Sequence, residues 1–262
     1  MELSYEGRVL GGGLLVQRGG VILTAAHCLR ALPSEAKTLT ATLACETEFE
    51  VRVDEVADWD LALLTAVDPG QCDYLPPQTD CCSPQDTWSA PYRPSLSDPH
   101  LDGVVIAGQC DYGLRDGTTI TALELTVRQL LGDYSGYSGG PVEVEVGGQP
   151  RLVGILLEQY PDRSDATKAS NVLFAAHIRH AILQFRRFDI GHLLPGGTPR
   201  SGPAAVSGSR PEVSPTAHAE RRLKQVREWR ETEVISPRAA EATELRILRM
   251  WLDAEPDGDT GA

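Results

Sequence analysis

The sequence predicts an all-β fold: two packed six-stranded antiparallel β-barrels, closed by a short C-terminal helix and followed by a small helical tail. Three observations lead there. About a dozen short apolar runs, rich in β-branched residues, are cut apart by Gly, Pro, Asp and Ser. Several alternate with the period of two that a half-buried strand requires. Helical spacing is confined to the last third of the chain, and that many short strands suits two barrels.

The 262 residues, 41% of them hydrophobic, are enough for one large domain or one domain with an appendage. A formal net charge of -13 and a pI near 4.9 argue against an electrostatic grip on nucleic acid or on an anionic membrane. No apolar run approaches a membrane span, and residues 1–6 lack the basic start and apolar core of a secretory signal, so a cytoplasmic protein is expected. The six cysteines are scattered, which predicts free thiols. Cys81-Cys82 has neither a CxxC partner nor a histidine at finger spacing, so neither a metal nor a cofactor is expected.

Taken in order, Val9-Leu10 and Leu14-Leu15-Val16 flank Gly11-Gly12-Gly13, and Val21-Ile22-Leu23 follows Gly19-Gly20; these runs read as strands. Thr24-Ala25-Ala26-His27-Cys28 comes next. Small residues ahead of His27 let an imidazole at a strand end face a cleft, although a core histidine satisfied by backbone is the alternative. Leu39, Ala41, Leu43 and Cys45, then Phe49, Val51 and Val53, alternate as antiparallel strands do. Asp58-Trp59-Asp60 then abuts Leu61-Ala62-Leu63-Leu64. An acid against a buried strand is costly unless a donor meets it, and an imidazole N–H is such a donor. Asp60, which touches the run, is preferred to Asp58; otherwise it is a strand-edge residue turned to solvent.

Residues 66–103, rich in Pro, Asp, Ser and Cys, read as a long connection between the two halves. Strands resume at 104–106, 123–127, 142–146, 152–157 and 172–174. Residues 176–188 show helical spacing through Ile178, Ile182, Leu183 and Phe185. The expected organisation is a domain over 1–193, a Pro/Gly/Ser-rich linker over 194–213, a two-helix tail over 214–255 and a disordered end over 256–262. Ser214-Pro215 and Ser236-Pro237 each open a tail helix with a capping serine and a proline at the first helical position. The first helix carries Leu223, Val226 and Trp229, the second Leu245, Leu248, Trp251 and Leu252. Two such helices need a surface to dock on, whether this domain, a second copy or a protein partner; the alternative is a solvated charged tail. Interleaved acids and bases there disfavour a nucleic-acid arm.

The hexapeptide Gly136-Tyr137-Ser138-Gly139-Gly140-Pro141 boxes a serine with glycines, which let backbone approach a substrate carbonyl and let the Gly136 and Ser138 amides converge on an oxyanion. A plain glycine-rich turn would read the same way. Nucleophilic acyl transfer needs a base, an orienter for that base and oxyanion donors. His27, Asp60, Ser138 and the two amides supply one of each.

LTAAHC around His27, DLALL from Asp60 and GYSGGP around Ser138, in the order His, Asp, Ser, together with GGGLL at 11–15, resemble the motifs of the chymotrypsin-like (trypsin-like) serine peptidases over about residues 3–190. The resemblance implies that His27 is general base and then acid, Asp60 its orienter and Ser138 the nucleophile of an endopeptidase acting on proteins or peptides. The spacing is compact, closer to the bacterial Deg-type enzymes, although nothing after residue 190 reads as a PDZ domain. Tyr137 stands where digestive members carry the acid that pairs with a newly cut amino terminus, so activation by terminus insertion is not expected. Leu10 replaces the cysteine that would partner Cys28. The family's pocket floor falls at Gly132, followed by Asp133, and its walls at Leu157-Glu158-Gln159 and at Val172-Leu173-Phe174. Asp133 or Glu158 would receive Arg or Lys, the slightly favoured preference, whereas Val172 would narrow the pocket toward small apolar residues.

DYSGYSGGPVE, VGILLEQYPDR and SNVLFAAHI also resemble cytosolic trypsin-like modules of bacterial conflict and defence proteins, in which the peptidase is joined to effector-associated adaptors. This implies that the tail is an adaptor or regulatory element. Two other readings stand beside the peptidase. One is an inactive protease-like scaffold that binds peptides. The other is an α/β-hydrolase esterase, because GYSGG fits a nucleophile elbow with Asp162 and His177 following it.

Overall fold

The structure, a computed structural model, describes residues 1–17, 19–36, 38–57, 59–71, 78–114, 117–161, 169–182 and 184–185, and in the tail 220, 223–224, 226–227, 241, 244–245 and 247–248. The chain divides into two compact units, Met1–Thr198 and Pro199–Ala262.

In the first unit the strands are β1 (Glu2–Tyr5), β2 (Arg8–Gly12), β3 (Leu14–Gln17), β4 (Val21–Ala25), β5 (Leu39–Thr42), β6 (Glu48–Ala57), β7 (Leu61–Ala66), β8 (Thr87–Ala90), β9 (Leu101–Gly113), β10 (Thr119–Val127), β11 (Pro141–Val146), β12 (Gln149–Pro161) and β13 (Ala169–His177), followed by the helix α1 (Ile178–Ile182). The first seven form one sheet in the order β2-β1-β5-β6-β7-β4-β3, and the last six close into a barrel in the order β10-β13-β12-β11-β8-β9. The expected two-barrel all-β architecture is present, with one difference in count. The first sheet has seven strands because β2 and β3, consecutive in the chain, are split at Gly13 and lie at its two ends. A Cβ on Gly13 would lie 3.0 Å from Ile22 and 3.3 Å from Leu3, so the bend that turns the chain from one end of the sheet to the other is tightly packed at this residue.

Each sheet buries its own interior. Leu3, Ile22, Leu39, Phe49, Val51 and Leu64 fill the first, and Trp88, Leu101, Leu123, Leu125, Val142 and Val153 fill the second. A third cluster, including Leu23, Leu61 and Leu63 from the first sheet and Ile120, Ile155 and Phe174 from the second, joins the two sheets and takes in Ile178 and Ile182 of α1. Burial of apolar side chains on both faces is why β4 and β7 read as continuous apolar runs rather than alternating ones.

Three local expectations are corrected. The connection over 66–103 contains β8, whose alternate residues Trp88 and Ala90 are buried in the barrel although Pro, Asp and Ser crowd either side. Trp88 Nε1 donates to the Thr126 carbonyl at 2.8 Å, a pairing across the barrel that no local pattern reveals. Helical structure begins at Ile178 rather than 176, because Ala176 and His177 still pair with β12 through Ile155 and Gly154. Among the described residues of the second unit Val226 is buried as expected and Ile247 is buried too, while Leu245 and Leu248 are exposed. Arg227 Nε and Glu244 Oε1 pair there at 3.5 Å. Asp58, Asp162, Leu183, Trp229, Trp251, Leu252 and the segments 194–213 and 256–262 lie outside the described residues.

Candidate active site

Strand register assembles the first half of the site. β4 pairs with β7 so that Ala25 faces Leu61, which leaves the residues just after Ala25 beside those just before Leu61. The Ala26 amide donates to the Asp60 carbonyl at 2.7 Å and the His27 amide to Asp60 Oδ1 at 2.9 Å. The chain then turns into a 3-10 helix over Ala26–Ala31, which swings the imidazole back over the strand ends. His27 Nδ1 and Asp60 Oδ2 meet at 2.5 Å. Asp60 holds φ at 55°, a left-handed conformation that Asp tolerates better than most residues and that turns its carboxylate toward the ring.

Burial is the largest single influence on the His27 ring and opposes its charge. The hydrogen bond with Asp60, then the Cys28 side chain and the Asp60 charge, outweigh it, and the imidazole is held well above its ordinary pKa. Arg30 Nη2 also lies 3.7 Å from Asp60 Oδ1, though its side chain is 76% exposed.

The second sheet brings Ser138, in the turn before β11. The two glycine runs of the sequence meet here. The Gly12 amide donates to the Ser138 carbonyl at 2.8 Å, and a Cβ on Gly139 (φ +81) would lie 2.2 Å from the Gly12 oxygen. Only bare backbone allows the turn to lie this close to β2. Cys28 Sγ donates to the same Ser138 carbonyl at 3.5 Å. The Ser138 hydroxyl donates to the Leu157 carbonyl at 2.8 Å, so it is turned toward β12 and not toward His27. Among the described residues, neither the Gly136 nor the Ser138 amide donates to a protein acceptor, and Gly136 has φ +91. Tyr137 is buried, with its hydroxyl donating to the Pro99 carbonyl at 2.7 Å.

His27, Asp60 and Ser138 line one cleft with Leu157, Glu158 and Gln159 of β12. Of the second expected wall only Leu173 lies in the lining; Gly132, Asp133, Val172 and Phe174 lie outside it, and Tyr134, Ser135, Leu156 and Leu114 are there instead. Strand alternation accounts for part of this. Leu173 faces the cleft, so Val172 and Phe174 face the opposite side, where Phe174 stacks on Tyr112 with ring centroids 3.7 Å apart. A register shift between Leu156 and Glu158 breaks the alternation of β12 and lets consecutive residues reach the cleft. Asp133 is exposed and accepts from the Ser135 hydroxyl at 2.6 Å and the Ser135 amide at 2.9 Å, bonds that hold its carboxyl below the usual range. Gln159 Oε1 accepts from the Tyr134 amide at 2.7 Å, tying the strand to the turn across the cleft. Tyr134-Ser135 sits within the singled-out DYSGYSGGP, so proximity to Ser138 was a usable signal for these two residues; nothing in the local sequence marks Leu114 or Arg30.

Comparison with solved structures decides the fold. The HtrA-type protease AlgW with a decapeptide matches with a TM-score of 0.52 at 20% identity, over 67% of this chain and 50% of that chain. The MamO protease domain from Magnetospirillum magneticum matches with a TM-score of 0.52 at 18% identity, over 71% and 95%. The fold is chymotrypsin-like. This chain thus spans about half the length of the AlgW chain it matches. No known family model and no curated protein matches the sequence. A chymotrypsin-like fold overturns the α/β-hydrolase reading, which needs strands alternating with helices around a parallel sheet. His177 is moreover fully enclosed, with its Nδ1 accepting from the Arg179 amide at 3.3 Å. Among the described residues, no helix is long and apolar enough to cross a membrane.

Proposed function

We propose that the protein is a serine endopeptidase in which Ser138 is the nucleophile, His27 the general base and acid, and Asp60 the residue that orients and charges the imidazole. The observation that carries this reading is the His27–Asp60 hydrogen bond of 2.5 Å in a cleft shared with Ser138. Structural neighbours named as proteases, one of them solved with a decapeptide, support a peptide substrate.

The reaction begins when the Ser138 hydroxyl leaves the Leu157 carbonyl and rotates toward His27 Nε2. Oγ attacks the substrate carbonyl carbon as its proton passes to His27, and Asp60 stabilises the imidazolium. The carbonyl oxygen, now negative, is met by the Gly136 and Ser138 amides, whose lack of a protein acceptor leaves them available. His27 then gives its proton to the departing amine as the C–N bond breaks. Water, deprotonated by His27, splits the acyl-enzyme and restores the serine.

A fluorophosphonate probe should label the protein on Ser138, and Ser138→Ala should abolish the labelling; equal labelling of the variant would sink the assignment. A second reading, a peptide-binding scaffold without turnover, is favoured by the Ser138–Leu157 hydrogen bond, which points the hydroxyl away from its base. No labelling under any condition would select it. The free thiols of Cys28, Cys45, Cys81, Cys82 and Cys110 fit a reducing, cytosolic setting. The tail is proposed as the regulatory or partner-docking element of a bacterial defence or regulated-proteolysis system.

A further inference from the structure

A second groove meets the cleft at His27 and Ser138 and is lined by Arg8, Val9, Leu10 and Ala31. If the residue on the acyl side of the scissile bond lies between β12 and Leu173, the chain beyond that bond must leave through this other groove. Apart from His27, Arg8 carries the only formal charge on its lining. Tyr5 pairs with Arg8 across a two-residue turn in which Glu6 and Gly7 have φ 48 and 75, the tight hairpin geometry that matches strand twist. The guanidinium is therefore presented from a stiff hairpin rather than a long loop.

No ion pair to Arg8 is found among the described residues, whereas Arg30, on the other side of His27, approaches Asp60. In a chain of net charge -13, an uncommitted cation beside the nucleophile opposes the general repulsion of acidic peptides at that point. The exposed Val9 and the partly buried Leu10 add an aliphatic surface along which the stem of a Glu side chain can lie.

We infer that Arg8 is a specificity-determining residue that selects an acidic side chain on the leaving-group side of the scissile bond, within the first two residues beyond it. The inference rests on the peptidase reading for its orientation. Its test is a set of internally quenched peptides carrying Asp, Glu, Ala or Lys at those two positions, cleaved by the full chain, with the same peptides titrated by fluorescence anisotropy onto the Ser138→Ala variant. Asp and Glu should exceed Lys by about threefold to fivefold in kcat/KM and in affinity, the size of a partly exposed ion pair. The gap should narrow as salt rises. Arg8→Lys should keep the preference and Arg8→Glu reverse it, each read as the ratio of acidic to Lys peptide within one variant. Acid preference in binding without fluorophosphonate labelling would refute the peptidase reading and leave the inference standing. Labelling with equal handling of all four peptides, or a preference unchanged in Arg8→Glu, would overturn the inference.

Discussion

At the scale of single residues, Asp60 carries two constraints at once. Its backbone is left-handed, and its carboxylate binds both the amide and the ring of His27. Asn tolerates the same backbone conformation but presents an N–H where the ring also needs to donate. On the proposed function, Asp60→Asn should lower kcat by about 10⁴-fold with the fold retained, as losing the equivalent orienter does elsewhere; a loss under tenfold in a peptide assay would contradict the role. The raised pKa of His27 has a direction for catalysis as well. The ring accepts the serine proton only when neutral, and neutral imidazole accumulates as pH rises through the elevated value. The acidic limb of kcat/KM should therefore lie above 6.5, the ordinary histidine value. A pH–rate profile whose limb falls below it would show that the Asp60 bond does not control the titration.

Among the elements, α1 has an unusual load. Arg179 and His180 on the helix, and His177 just before it, are all buried. Burial, followed by the Arg179 charge, pushes the His180 pKa down to about 4, and burial with the His180 and Arg179 charges pushes His177 well below its ordinary value. Both rings face one another at 5.2 Å between centroids, and Trp59 approaches His180 edge-on. In the unfolded chain each takes a proton near pH 6.5, so below that pH the unfolded state binds more protons. The stability they permit is complete above pH 6.5 and is lost as pH falls toward 4. For His180 alone the loss at pH 4 is on the order of 3 kcal/mol. His180→Phe should flatten the fall in urea midpoint between pH 7 and pH 5, with Phe filling a similar volume against Trp59. An equally steep fall in the variant would place the acid sensitivity elsewhere.

For the whole molecule, the division into units Met1–Thr198 and Pro199–Ala262 carries its own prediction. The thirteen strands and three core clusters found among the described residues belong to the first unit. A chain ending at Thr198 should keep its far-UV circular dichroism and melt within about 4 °C of the full chain, the shift that about 1 kcal/mol produces at this size. If the tail is regulatory as proposed, the same truncation should change the rate of fluorophosphonate labelling or the assembly state. Labelling rate and mass both unchanged would rule that role out.

The strand-rich class and the chemical constellation are readable from local sequence. Period-two alternation is a local consequence of strand geometry. His27, Asp60 and Ser138 each stand in a motif whose neighbours serve the same turn: small residues before the histidine, an apolar strand after the acid, glycines around the serine. The facing glycine runs at 11–13 and 139–140 were legible as glycines, though not as partners. Features that depend on residues far apart in the chain emerge only from packing. Trp88 is drawn into the barrel by neighbours on β9 and β11, making a strand inside a Pro-rich connection. A register shift in β12 and the alternation of β13 determined which side chains line the cleft, keeping Leu173 of the expected wall and turning Val172 and Phe174 away. The acceptor of the Ser138 hydroxyl was settled in the same way. Hydrogen bonds between strands and side-chain packing across a cleft are nonlocal, and a periodicity read along one strand contains no information about the strand that will lie opposite.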